Sequence, residues 1–386
     1  MREDTGAEME TEMAGSEQPY PPQLLELMRS CGVRTPPHEF IREVSNAFHE
    51  IEAPGYDHLH QEIASQVTPR LQEFGTLVKK CLAGKTMRVL EVGCGTGFAS
   101  WMLCATCRLE IASLVCSDIS PHMLEICRRK FEGRPGVQFV EADLEHLSRS
   151  FSPFEMVLTC SVVHHVADLT SFFVHLRKLL APGGFYMMLH EPSRRYYANS
   201  NCLRFFEQYQ TSRRRRARLR YLDPARYVRK AIRLVERATT PCMESKVSEL
   251  LLKRNVIQWP LTQREVRQLV DIHVPPIHTG TFFMGSEGLD LHALRQRYLA
   301  GFVPVCFRSY GFLGTEFEEV AGRCWQAKAL ELARRYPEDG AQFSALWRAP
   351  GAAVDEPGVR GLETQTPSCP WEALAAGKTL SRAACG

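Results

Sequence analysis

The residues whose types and spacing could do chemistry begin with Glu91-Val92-Gly93-Cys94-Gly95-Thr96-Gly97, where three glycines alternate directly behind an apolar run. Glycines so placed let a backbone approach a bound molecule closely, because no Cβ stands in the way. A dinucleotide fingerprint reads G-x-G-x-x-G; here the sixth position is Phe98 and the third glycine comes one residue early, at Gly97. Asp118 lies 21 residues after Gly97, the offset at which an acid accepts hydrogen bonds from ribose hydroxyls. Asp143 closes a later apolar run and is placed to accept from an adenine amino group. Glu91 and Asp118 together predict a negative pocket, which repels a pyrophosphate and favours a cationic cofactor. Downstream, Cys160 and Ser161 are expected on one side of such a pocket and His164 and His165 on the other. A histidine there could take a proton near neutral pH. His190-Glu191-Pro192 is a second candidate wall.

The elements that must hold these residues follow from periodicity. Short apolar runs at Met87–Val92, Ile111–Ser117, Val137–Val140, Phe154–Thr159 and Gly184–His190 alternate with helical stretches at Phe98–Cys107, Pro121–Phe131 and Leu169–Leu180. That alternation predicts an α/β, doubly wound, mostly parallel sheet covered on both faces, with ligands beyond the carboxyl ends of the strands. Upstream, Pro21–Ser30, Glu39–Ile51 and Tyr56–Leu82 show helical spacing. Downstream, Leu289–Ala300 and Glu316–Arg335 read as helices, Phe302–Tyr310 and Ala341–Arg348 as strands that add an edge pair, one of them antiparallel.

Glu91 to Gly97, then Asp118, Ala142-Asp143 and Leu179-Leu180-Ala181-Pro182-Gly183-Gly184, taken in that order, resemble the class I S-adenosylmethionine-dependent methyltransferases. The resemblance covers residues 85–192, and the order of elements to 348 agrees with the family's seven-stranded, Rossmann-like sheet. It implies S-adenosylmethionine as cofactor, with Glu91, Gly93, Cys94, Gly95 and Gly97 at the methionine end. It implies Asp118, with Ile119 after it, at the ribose, Asp143 with Leu144 at the adenine, and Cys160 beside the methionine. His164 and His165 remain the catalytic candidates, needed as a base only where the acceptor must lose a proton.

The organisation expected is a disordered N-terminus (1–20), an N-terminal helical segment (21–84), a cofactor-binding core (85–192), an inserted substrate lid (193–288), the remainder of the core sheet (289–348) and a disordered tail (349–386). Tyr56 and its neighbours are expected to close over the cofactor. No apolar run in the 386 residues reaches the length of a membrane span, and the acidic start does not read as a signal or transit peptide. The fourteen cysteines lack the spacing of a disulfide scaffold, so a reduced, cytoplasmic setting is expected. Cys104 and Cys107 form the one C-x-x-C, with no second pair to complete a metal site, and no metal is expected. His273 and His278, flanking Pro275-Pro276, read as surface loop positions, with lining of the acceptor pocket as the alternative.

Residues 203–238 hold twelve Lys or Arg against three acids, although the whole chain carries only +3. A phosphate-rich partner could dock along Arg213–Arg220; a solvated helix face is the plainer reading. Methylation of O or N in a small-molecule acceptor is therefore the expectation. The alternatives are an RNA or protein methyltransferase docking through the basic segment, and a non-catalytic regulator that binds the cofactor.

Overall fold

The computed structural model describes residues 20, 22–82, 85–107, 109–219, 242–273, 288–314 and 321–351. The chain begins with helices α1 (Pro22–Ser30), α2 (Pro37–Glu52), a short α3 (Tyr56–Leu59) and α4 (Gln61–Leu82). Strands and helices then alternate: β1 (Met87–Val92), α5 (Phe98–Thr106), β2 (Ile111–Asp118), α6 (Pro121–Lys130), β3 (Val137–Glu141), α7 (Leu144–Ser150), β4 (Phe154–Cys160), α8 (Leu169–Leu179) and β5 (Leu180–Pro192). After β5 come α9 (Arg194–Ala198), α10 (Ser200–Leu219), α11 (Met243–Lys253) and α12 (Gln263–Val270). The last elements are α13 (Leu291–Ala293), β6 (Val303–Tyr310), α14 (Arg323–Arg335) and β7 (Gln342–Arg348).

One seven-stranded sheet results, in the order β3-β2-β1-β4-β5-β7-β6. β1 to β5 are mutually parallel, and β7 runs antiparallel to both of its neighbours. β1, reading MRVLEV, is buried along nearly its whole length, as a parallel strand covered on both faces must be. The helix starts are set by side-chain caps. Ser120 accepts from Met123 N with Pro121 at the first helical position, Asp143 from His146 N, and Asp168 from Ser171 N, each satisfying an otherwise orphaned donor.

The two sheet faces carry separate apolar cores, one under α4, α5 and α6 and one under α7, α8 and the segment around Leu294–Tyr298. A third core never touches the sheet. Leu24, Phe40, Ile41 and Val44 of α1 and α2 pack there with Val247, Leu251, Val266 and Leu269 of α11 and α12. The N-terminal helices are thus divided: α4 belongs to the sheet, whereas α1 and α2 join α11 and α12 in a cap. The helix expected at Leu289–Ala300 is a single turn, α13, continued by a wider turn over Leu294–Tyr298. The helix expected from Glu316 begins at Arg323, after the N-cap Gly322, whose extended backbone stands outside it.

Candidate functional site

The glycine loop leaves β1 with Gly93, Gly95 and Gly97 all at positive φ (63°, 52° and 78°), the left-handed region that favours glycine. Their surroundings differ. A Cβ on Gly93 would strike Val162, and one on Gly97 would lie 2.5 Å from Cys127 Sγ, but one on Gly95 would meet nothing within 4 Å. Gly95 therefore faces open space, the cradle a cofactor needs. Asp118, at the end of β2, shapes this loop: its two carboxylate oxygens accept from Gly95 N at 2.7 Å and Ser120 N at 2.8 Å. Burial raises its pKa, and those two N–H donors oppose the rise.

Glu91 departs from the expected charge. It is buried at the end of β1 and accepts from Ser100 N at 3.2 Å, but desolvation pushes its carboxyl up to about 8. Glu91 is therefore largely protonated near neutral pH and does not supply the negative charge expected of it. Cys94 is buried behind the loop, Ile119 is half-buried and follows Asp118, and Leu144 is buried at the start of α7. Asp143 is half-exposed and caps α7, with its other oxygen 3.7 Å from Arg42 Nη1 of α2.

That contact marks the line along which the cap crosses the site. From Arg42 at Asp143, α2 runs to His49, whose ring meets those of Tyr56 and His165 edge-on. Beyond it, Asp57 accepts from Thr96 Oγ1 of the glycine loop and pairs with Lys130 Nζ at 2.8 Å. Glu52 is buried beneath; burial alone would raise it, but the His49 ring, 3.7 Å away, and a 2.7 Å hydrogen bond with His60 outweigh that and hold it down to about 2. Tyr56 lies between the rings of His49 and His60, with Glu52, Cys160 and Asp118 among the charges it feels. The contacts from Arg42 to Lys130 join residues far apart in sequence, and no local signal announces them.

The candidate bases lie on a short turn, Val163–His165, just after β4. One carboxylate organises it. Glu191, fully buried at the end of β5, accepts from Val162 N (2.9 Å), Val163 N (2.9 Å), His164 N (3.1 Å) and His164 Nδ1 (2.8 Å). The His164 proton is thereby held on Nδ1, which leaves Nε2 with a lone pair. Burial lowers the His164 pKa to about 3 and carries that of His165 well down, so both are neutral at physiological pH. His165 donates from Nδ1 to Val270 O at 2.8 Å and stands 3.8 Å from Asp271. His273 is not a surface loop position: its N donates to His164 O and its Nε2 to Val166 O at 2.9 Å. His278 lies outside the described residues.

Of the suggested wall His190-Glu191-Pro192, Glu191 is fully buried and spends its oxygens on the 162–164 turn. Ser161 and His190, at the ends of β4 and β5, both hold left-handed backbone (φ 56° and 57°), a conformation that costs a non-glycine residue about 1–2 kcal/mol. They are tied together, Ser161 Oγ donating to His190 O at 3.1 Å. His164, His165 and Asp271 offer potential ligand atoms within 4.8 Å of one another. His164 Nδ1 is engaged by Glu191 and His165 Nδ1 by Val270 O, and the two rings lie 3.9 Å apart with a 40° tilt. Cys107 Sγ bonds Leu71 O. Of Arg213–Arg220, Arg213, Arg214 and Arg215 are exposed on α10; Arg220 and the rest of the basic segment to 238 lie outside the described residues. No helix among the described residues is long and apolar enough to cross a membrane.

Comparison with known proteins follows this geometry. Residues 90–186 match the family model described as a methyltransferase domain. A phthiotriol/phenolphthiotriol dimycocerosates methyltransferase of Mycobacterium ulcerans is 34% identical over 104 residues, 27% of this chain and 36% of that protein. The malonyl-[acyl-carrier protein] O-methyltransferase of Halalkalibacterium halodurans is 25% identical over 34% of this chain and 47% of its own. The DhpI–SAH complex aligns with a TM-score of 0.29 and 22% identity, over 39% of this chain and 69% of that one. The chain spans less than half the length of these curated relatives. Residues 90–186 thus carry a methyltransferase domain, and the cofactor the match points to is S-adenosylmethionine.

Proposed function

We propose that this chain transfers the methyl group of S-adenosylmethionine to an oxygen or nitrogen of a small-molecule acceptor, with His164 as the base where the acceptor must lose a proton. The observation that carries the reading is the His164–Glu191 pair, 2.8 Å long, with Glu191 fully buried and the His164 side chain 12% exposed. A carboxylate that fixes the proton on Nδ1 leaves Nε2 as the acceptor of a substrate proton, the same division of roles that orients a histidine base in hydrolases. Burial keeps the imidazole neutral before reaction but weakens it as a base, and the Glu191 carboxylate on Nδ1 would stabilise the imidazolium that forms when Nε2 takes a proton.

When bound, the cofactor supplies an electrophilic methyl on a sulfonium. This chain's part is to hold and orient. Glu91 and the Gly93–Gly97 loop would hold the methionine end, Asp118 and Ile119 the ribose, Asp143 and Leu144 the adenine, and Cys160 the side nearest the methyl. The cap, from Arg42 to Asp57, would exclude water and fix the approach, which is where much of the acceleration of an in-line displacement arises.

The test is incubation with methyl-labelled S-adenosylmethionine and fractionated small-molecule extract, with His164→Asn in parallel. Label is expected in a low-mass fraction with the native protein, and strongly reduced incorporation with His164→Asn at unchanged cofactor affinity. Cofactor binding without uptake of label into any fraction would instead mean a non-catalytic binder.

A further inference from the structure

The first half of α4 and the upper ends of β5, β7 and β6 hold a group of polar side chains with unmet demands. Arg70 lies with its guanidinium 4.2 Å above the ring of Tyr310, and its Nη1 donates to Gln66 O at 3.0 Å. Among the described residues it has no carboxylate within ion-pair distance. One turn away, Gln66 Oε1 is buried without a hydrogen-bond partner. Gln342 Oε1 is buried and unpartnered as well, on a residue only 7% exposed. Gln342 is the cross-strand partner of Tyr310 on β6 and of Pro192 on β5, so its side chain shares the Tyr310 face, the one that Arg70 covers. Beside them Tyr310 Oη meets His190 Nδ1 at 3.3 Å and Ser344 Oγ at 2.9 Å.

Unmet buried amides cost about 1–3 kcal/mol each, and a half-buried guanidinium has five donors to satisfy. A ligand that brings a carboxylate and an adjacent hydrogen-bond donor answers both demands: the carboxylate takes the Arg70 fork, and a hydroxyl or amine reaches a glutamine oxygen. The sheet decides which ligand. Neighbouring strands lie roughly 4.8 Å apart, so β7 is roughly 14 Å across from β1, where the glycine loop begins. That is the half of the carboxyl edge away from Asp118 on β2 and Asp143 after β3.

We propose that Arg70, Gln66 and Gln342 form a subsite for a carboxylate of the acceptor itself, making the acceptor class a small hydroxy or amino acid. The assignment rests on the methyl-transfer reading above for the word acceptor, but not for the binding site.

The test titrates glycolate, lactate, glycine and alanine, with glycinamide as the uncharged-carboxyl control, into the protein loaded with S-adenosylhomocysteine, observed by ligand NMR. Native protein is expected to bind at least one acid and not the amide. Arg70→Gln should weaken that acid roughly ten- to a hundredfold, the loss of a charge-assisted bond, and Arg70→Lys should recover part of it. Thermal melts confirm that the variants are folded, and Gln342→Ala gives an independent variant away from the Tyr310 stack. Absence of acid binding to the native protein, or equal binding by Arg70→Gln, would overturn the subsite. S-adenosylhomocysteine and its decarboxylated analogue separate the remaining source. If Arg70→Gln weakens only the carboxylated compound, the carboxylate is the cofactor's and the acceptor assignment falls. Failure of the native protein to bind S-adenosylhomocysteine would count against the methyltransferase reading alone, because the acid titration can be repeated on ligand-free protein.

Discussion

Replacing Glu191 by Gln preserves shape and inverts one donor–acceptor relation. The amide oxygen can still accept from Val162 N and Val163 N, both at 2.9 Å, but the amide nitrogen then faces His164 N at 3.1 Å and His164 Nδ1 at 2.8 Å. An N–H cannot donate to an N–H, so the imidazole must move its proton to Nε2 and accept at Nδ1. The His164 backbone N–H is left without an acceptor, which costs about 1–3 kcal/mol of stability. The lone pair that would take the acceptor proton is lost, so turnover should fall about 10²- to 10⁴-fold, while cofactor affinity stays as it was. Nitrogen-15 imidazole shifts read the tautomer without any substrate, and single-turnover methyl transfer to the accepting fraction reads the rate. Burial pushes the Glu191 carboxyl up to about 7, so the native rate should drop as pH falls below about 7, and Glu191→Gln should lack that limb. A variant that keeps the Nδ1–H tautomer and the native rate would refute the assignment of His164 and Glu191 together.

Asp118→Ala should weaken cofactor binding by about 1–3 kcal/mol, the scale of bonds to a charged acceptor, as measured by calorimetry. Gly95→Ala, open in space, should cost about 1–2 kcal/mol of stability from its positive φ and a larger share of cofactor affinity, whereas Gly97→Ala should mainly destabilise, because Cys127 Sγ stands in the way; equal melting losses for the two would count against this. Asp57→Asn removes the Lys130 pair and weakens the tie to Thr96; stability should change by less than about 1 kcal/mol, but stopped-flow release of S-adenosylhomocysteine should quicken. Glu91, with its pKa raised to about 8, stays protonated in the fold after the unfolded chain has lost that proton. It therefore favours the fold most below about pH 4.5, an advantage lost as pH rises to about 8; denaturant midpoints for Glu91→Gln should show a flatter pH dependence over that window.

Much of the sheet was legible because its signals are local. The apolar runs at Met87–Val92 and Ile111–Ser117 and the helical spacing at Pro121–Phe131 each act within a few residues of themselves. The same holds for the alternate glycines, whose positive φ needs no distant partner to be anticipated. The cap was not legible: Val44 and Val266 meet because two amphipathic faces fit each other, and neither face names its mate. The charge of Glu91 was misjudged because a carboxylate's protonation depends on the solvent removed around it, which no motif encodes. The surface reading of His273 failed in the same way, since only the fold brings it against His164. Glu191 was read as a wall, and its four donors became visible only once β4 and β5 lay side by side.

The third apolar core also has a consequence for how the chain is made. α1 and α2 leave the ribosome early, but their packing partners α11 and α12 begin about 190 residues after α2 ends; at roughly 5–20 residues per second, that is a delay of about 10–40 s. Throughout it Leu24, Phe40, Ile41 and Val44 have no native surface to cover them, whereas the parallel strands from β1 to β5 can begin to pair. The nascent chain therefore carries an uncovered amphipathic leader while its sheet assembles, and a chaperone that protects such leaders should associate with ribosomes stalled before Met243 and release once Val270 has emerged.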